Sequence, residues 1–122
     1  MVLRKVIWKM NSLNIRKLLS NVFKGYNAYF GDNTGELIDN YKINYQLPNS
    51  LLLEGQRTYR LEIDIWSNDT MQADILADEI ENILNYTSRY NCEWATFILE
   101  NRYNADEKSI YRRTLVYEVR TY

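Results

Sequence analysis

The fold is decided by the stretch from Arg57 to Tyr86, which reads RTYRLEIDIWSNDTMQADILADEIENILNY. In its first ten residues apolar and polar side chains alternate, which is the period of a strand with one buried face. After Ser67 to Asp69 the apolar residues recur at intervals of three and four, which predicts an amphipathic helix. Asp69 is placed to cap this helix, and Gln72 to reach back as in a capping box. The rest of the chain is expected to assemble on this unit.

The residues before this stretch predict a helix and two strands. Apolar residues at helical spacing from Ser12 to Phe23 predict the helix, and Val2 to Trp8 either extend it backwards or form a short separate piece; one helix is favoured. The aromatic run from Tyr26 to Phe30 predicts a brief strand, with a turn at Gly31 to Gly35. The alternation from Tyr41 to Leu47 predicts a second, half-buried strand.

The residues after the helix predict a hairpin. Thr87 to Asn91 is interpreted as a connector, and alternation resumes from Trp94 to Tyr103. A polar turn at Asn104 to Lys108 leads to a last strand that begins near Tyr111. The chain is therefore predicted to be a single α+β domain, residues 1–122, in which two helices pack on one face of a mainly antiparallel sheet.

Composition narrows the classes of function. A net charge of −1, from 15 Lys and Arg against 16 Asp and Glu, gives no overall field that would attract nucleic acid. The absence of His and the single Cys92 exclude His-centred catalysis, an internal disulfide and the usual zinc ligand sets. Charges divide the apolar residues from Met1 to Lys9 into runs too short for a signal peptide or a membrane span. We expect synthesis in the cytoplasm and no membrane partner.

Candidate catalytic groups are few. Glu62 and Asp64 share a strand face, as carboxylates of metal-dependent nucleases do, but no lysine follows two residues later, and a solvated strand carries such charges routinely. Cys92 adjoins Glu93, whose charge opposes a thiolate. No nucleophile elbow or glycine-rich phosphate loop is present in the sequence. We predict that the protein is not an enzyme and has no catalytic, metal or cofactor site.

Three features of the sequence suggest a protein partner. The eleven tyrosines combine a large apolar body with a polar tip, which suits subunit contacts. Leu51, Leu52 and Leu53 either anchor a connection on the core or form a patch for a partner. The open face of the sheet is expected to be an ordinary solvated face or to pair with a protein through mixed charge. Its charged residues are Arg60, Glu62, Asp64, Arg112, Glu118 and Arg120.

The order of elements resembles a known family. The strand Tyr41 to Leu47, the segment Tyr59 to Ser67 with the Ala-rich helix after it, and the closing strand Tyr111 to Tyr122 resemble the tail terminator, or tail completion, proteins of long-tailed bacteriophages. The resemblance covers most of the chain. It is sharpest in the strand that ends in Trp-Ser before the helix and in the last strand, Leu115 to Arg120.

The resemblance implies a structural protein of the virion. Subunits would form a hexameric ring that caps the finished tail tube. The ring would bind the tail tube protein on one side and the head connector or stopper protein on the other. DNA would pass through the lumen without specific binding. The alternatives are another head-tail connector or neck component, or a small cellular α+β module for ligand binding or regulation.

The turn of the predicted hairpin is the first place to look for a ring contact. Exposed polar groups at the tip of two long strands are free to contact a neighbour, although a solvated turn has the same composition. The candidate interface residues are Arg102, Tyr103, Asn104, Asp106, Glu107, Lys108, Leu51, Leu52, Leu53, Arg60, Glu62, Arg112 and Arg120.

Overall fold

The computed structural model describes residues 13–48, 58–92 and 94–121. Helix α1 covers residues 13–22, and helix α2 covers Thr70–Tyr86. The strands are β1 (Ala28–Phe30), β2 (Tyr41–Gln46), β3 (Thr58–Ser67), β4 (Ala95–Asn104) and β5 (Tyr111–Thr121). The expectations for Val2 to Trp8 and for Leu51 to Leu53 fall outside the described residues.

The five strands form one sheet in the order β1-β2-β3-β5-β4. β1 is parallel to β2, and the other three pairings are antiparallel. Ile15 and Leu19 of α1 share one core with Ile80 and Leu84 of α2 and with alternate residues of β3 such as Ile63. The prediction of an α+β fold with a mainly antiparallel sheet is therefore confirmed. No helix among residues 13–48, 58–92 and 94–121 is long and apolar enough to cross a membrane.

At the start of α2 the predicted cap at Asp69 is present, but the predicted contact of Gln72 with the Asp69 amide is not. The Asp69 side chain accepts a hydrogen bond from the Met71 amide at 3.0 Å. The Asp69 amide, however, donates to the Ser67 hydroxyl, which in turn donates to Gln72 Oε1. Gln72 also donates through Nε2 to the backbone oxygen of Asp39 at 3.0 Å. Ser67 thus takes the place expected for Gln72, and Gln72 instead ties α2 to the loop before β2.

The end of α2 also differs from the prediction. Residues Thr87–Asn91, interpreted as a connector, continue the helix as one π-helical turn. The Thr87 hydroxyl donates to the Ile83 carbonyl at 2.8 Å, and the same carbonyl accepts from the Thr87 amide.

An irregularity in β4 reverses which side of the sheet its later residues occupy. The register shifts between Leu99 and Asn101, which inserts one extra residue. Because neighbouring residues of a strand point to opposite faces, the insertion places Arg102 opposite Leu115 on the helix-covered side. The uninterrupted alternation predicted from Trp94 to Tyr103 is therefore wrong for Arg102 and Tyr103, which lie on the opposite faces from those it implies.

Candidate assembly surfaces

A buried arginine fastens the hairpin to α2. The Arg113 side chain on β5 is only 4% exposed. Its Nε donates to Asp74 of α2 at 2.6 Å, its Nη1 to Asp106 of the hairpin turn at 2.6 Å, and its Nη2 to the Thr70 hydroxyl at 3.1 Å. The hydrogen bond with Asp74 is the main reason that the pKa of Arg113 lies above its ordinary value. Asp106 is thus bound within the subunit.

A second arginine makes a similar link nearer the surface. Arg102 donates through Nη1 to Asp78 at 2.7 Å and also to Glu81, both on α2. This contact depends on the irregularity in β4, which turns Arg102 towards the helices. The expectation that Arg102 and Asp106 are free at the tip for a neighbour is corrected, because both side chains are bound to groups of their own subunit.

The exposed part of the hairpin is the tight turn itself. The Glu107 amide donates to the Ile110 carbonyl at 2.8 Å, and the Ile110 amide donates back to Glu107 at 2.7 Å. Glu107 and Lys108 are exposed and form no ion pair with another described residue. Together with Trp66, the turn borders an open depression of about 720 Å³. Tyr103 and Asn104, at the end of β4, are exposed as expected.

The centre of the open sheet face is buried, which contradicts one of the two expectations for this face, an ordinary solvated surface. Asp64 is buried and accepts a hydrogen bond from the Thr114 hydroxyl at 2.6 Å. Arg112 Nε lies 3.2 Å from Asp64 Oδ1, and the guanidinium lies 5.1 Å from the centre of the Trp66 ring. Asn44, opposite Asp64 in the register, is buried as well. Asp64 and Arg112 are therefore engaged with each other and with their strand neighbours.

The other predicted charges of this face lie towards its rim. Arg60 is exposed and lies opposite Glu118 in the register, and Arg120 Nε is 3.1 Å from Glu118 Oε1. Glu62 is half-buried beside the buried Asp64. Within residues 13–48, 58–92 and 94–121 no group of three His, Cys, Asp or Glu side chains is placed to hold a metal ion. Cys92 is buried.

An apolar groove lies between the two helices. It has a volume of about 500 Å³, and its walls are formed by Leu18 and Val22 of α1 and by Ile83 and Tyr86 of α2. Tyr86 is 55% exposed, and the centre of its ring lies 4.9 Å from that of Tyr90, which is 68% exposed. We refer to Leu18, Val22, Ile83 and Tyr86 as the helix groove. Few polar groups converge on it, since its polar lining consists of Asn21, Asn82 and Thr87.

A second apolar surface lies at the opposite end of α2. Met71 is 68% exposed and Ile75 is 51% exposed. Both side chains border a shallow depression of about 420 Å³ that Asn40 and Asp69 also line. We refer to Met71 and Ile75 as the apolar pair. Sequence reasoning missed this surface, although the two residues are one helical turn apart and lie on the wheel opposite the buried Leu76 and Ile80.

Comparison with known proteins does not supply a relative. Neither a protein-family model nor a curated protein matches the chain.

Proposed function

We propose that this protein is a structural, non-enzymatic virion subunit of the tail terminator type. In this role it forms a closed, hexameric ring that terminates the tail tube and joins it to the head connector or stopper protein. The observation that carries the proposal is the presence of two unlike apolar surfaces, the apolar pair and the helix groove, at opposite ends of α2. A ring built from identical subunits requires two different contact surfaces on each subunit.

The size and grouping of the exposed side chains support this assignment. Single apolar side chains on a protein surface are ordinary, whereas several grouped together mark an interaction site. Met71 and Ile75 are neighbours on one helix face, and Tyr86 and Tyr90 are in ring contact. Met and Tyr are also enriched where proteins meet.

The charged groups of the domain support a structural role in another way. Arg113 binds both Asp74 and Asp106 and so joins three elements of the fold. Asp64, which a nuclease would use as a metal ligand, accepts a hydrogen bond from Thr114 and pairs with Arg112. These side chains stabilise the contact between the hairpin and α2 and the centre of the sheet.

The remaining exposed features suit partners above and below the ring. The tip at Glu107 and Lys108 projects from the end of the longest hairpin and presents both signs of charge. We assign it to the contact with the tail tube protein or with the head connector. A net charge of −1 suits a lumen through which DNA passes without tight binding.

The proposal is tested by measuring the mass of the purified protein, alone and with tail tube protein. We expect hexamers, and binding to the end of the tube. A strict monomer in both samples that retains a small molecule would favour a ligand-binding module, because the volume of the helix groove lies within the range of small-molecule sites. Magnesium-dependent DNA cleavage that disappears in Glu62→Ala would favour a nuclease.

A further inference from the structure

A small pocket lies between α2 and the sheet, with a volume of about 220 Å³. It is lined by Glu81, Asn82 and Asn85 of α2, by Phe97 and Leu99 of β4, and by Tyr117 of β5. We refer to it as the Tyr117 pocket. We propose that this pocket binds a primary alkylammonium group, such as the end of a lysine side chain. The site is additional to the ring contacts of the proposed function and does not depend on them.

The floor of the pocket is aromatic and carries one unused polar group. Tyr117 and Phe97 line the pocket although they are only 3% and 6% exposed, and their rings meet edge to face with centres 6.5 Å apart. The Tyr117 hydroxyl makes no hydrogen bond with another described residue. A polar group of so buried a side chain usually has a partner, and the pocket is where a ligand can supply one.

The rim of the pocket divides into a polar and an apolar side. Glu81 gives Oε2 to Arg102, whereas its Oε1 and the side-chain amides of Asn82 and Asn85 form no hydrogen bond with another described residue. Leu99 is apolar and exposed on the other side. A lysine side chain divides in the same way, into an apolar stem and an ammonium with three donors. The volume is below that of sites for drug-sized ligands, which suits a single side chain.

The charge around the pocket selects a cation. Asp78 and Glu81 share the single guanidinium of Arg102, so two carboxylates face one positive charge. The pKa of Tyr117 lies above its ordinary value mainly because the side chain is buried; Glu81 raises it further, and Arg102 lowers it by less. The ion pair therefore leaves a negative potential at the hydroxyl. The hydroxyl stays protonated at neutral pH, and its oxygen can accept a hydrogen bond from an ammonium group.

The test titrates the isotope-labelled full chain with N-acetyl-lysine N-methylamide and with pentylammonium chloride. Amide NMR shifts of residues 81–85 and 97–99 report binding at the pocket. The controls are sodium chloride and N-acetyl-norleucine N-methylamide, which carries an alkyl stem without the ammonium. We expect saturable shifts and an affinity at least about tenfold above that for the norleucine compound. Saturation by the lysine compound identifies a side chain of a partner protein as the ligand, whereas saturation by pentylammonium alone identifies a free amine.

Two variants remove the groups that would hold the ammonium. Tyr117→Phe removes only the hydroxyl, which has no partner among the described residues, so the fold should persist while the affinity falls about fivefold. Glu81→Gln removes the charge and should lower the affinity about tenfold. The matched control is Asp78→Asn, which takes an equal charge from Arg102 but does not line the pocket. Its affinity should stay within about twofold of the wild type, because exposed charges are screened.

Each other outcome overturns the inference. An absence of saturation, or equal affinity for the norleucine compound, would show that the pocket does not select an ammonium group. Unchanged affinity in Tyr117→Phe and Glu81→Gln would place the ligand elsewhere, and equal losses in Glu81→Gln and Asp78→Asn would attribute binding to the general field of α2. Circular dichroism checks folding, and Asn85→Ala at the exposed rim replaces a variant that loses its signal. The mass measurement that tests the proposed ring is independent of all these results.

Discussion

Arg113 of β5 and Asp74 of α2 lie 2.6 Å apart, with the arginine side chain 4% exposed and the carboxylate 53% exposed. The pair joins the last strand to the helix that precedes it by almost forty residues in the chain. A buried guanidinium must be matched by acceptors, because an unpaired buried charge is costly. Asp74 and Asp106 together meet this need.

We expect Asp74→Ala to lower the free energy of unfolding by about 1–3 kcal/mol, because Arg113 loses one charged acceptor and stays buried. The matched change is Asp78→Ala, which removes one partner of the more exposed Arg102 and is expected to cost at most about 1 kcal/mol. Urea unfolding of both variants measures the difference. Equal losses would show that the burial of Arg113 does not determine the strength of its ion pair.

The loop between β1 and β2 should be intolerant of a methyl group at Gly35. Gly35 has φ +77°, and a Cβ there would lie 2.2 Å from the Tyr29 ring. Gly25 has φ +94° but no atom within 4 Å of its Cβ position, so Gly25→Ala measures the backbone strain alone. Thermal unfolding should show a larger loss for Gly35→Ala than for Gly25→Ala. Similar losses would mean that the Tyr29 ring moves aside without cost.

Stability at alkaline pH should depend on Tyr26. Burial and the hydrogen bond that its hydroxyl donates to Glu79 raise the pKa of Tyr26 from 10.0 to about 12. Between pH 10 and pH 12 the unfolded chain therefore loses this proton while the folded chain keeps it. The contribution that is present below pH 10 is lost as the pH rises through this window.

Urea midpoints across the same window should fall less steeply in Tyr26→Phe than in the wild type. Glu79→Gln should have an intermediate slope, because it removes the negative charge and keeps an acceptor. The three proteins differ only at the hydrogen-bonded pair of Tyr26 and Glu79, so differences in slope are assigned to this pair. Parallel slopes for wild type and Tyr26→Phe would contradict the assignment.

The hairpin tip should affect binding without affecting stability. Glu107→Lys reverses an exposed charge with no ion-pair partner among the described residues, so the free energy of unfolding should change by at most about 0.5 kcal/mol. Under the proposed function, this variant should bind the tail tube protein or the head connector less tightly. Asp106→Lys is unsuitable for the test, since it also breaks the pair with Arg113. Unchanged binding to both partners would show that the tip contacts neither of them.

The strand and helix from Thr58 to Tyr86 could be predicted because both of their periods are local in the sequence. The irregularity in β4 could not, since the extra residue is defined by pairing with β5 and carries no glycine or other local signal. The same applies to Gln72, whose acceptor Asp39 lies 33 residues away in the chain. Local sequence patterns identify helices and strands, whereas the register shift in β4 and the hydrogen bond of Gln72 depend on residues that are distant in the chain.

The candidate surfaces also differ in whether the local sequence reveals them. The tip at Glu107 and Lys108 was predicted because a polar turn between two strands is visible in the sequence. The helix groove was not, because Leu18 and Ile83 come together only when both helices pack on the sheet. The apolar pair had a signal, in that Met71 and Ile75 lie on the polar side of the helical wheel.

The short edge strand β1 should open before the strands at the centre of the sheet. β1 has three residues and contacts the sheet only through β2, whereas β3 and β5 lie between partners on both sides. β1 can therefore unpair while the antiparallel pairings stay intact, and its backbone amides should exchange with deuterium before those of β5. Helix α1, which supplies the Leu18 wall of the helix groove, leads directly into β1. A neighbour seated in that groove would then slow amide exchange in β1, a strand outside the contact itself.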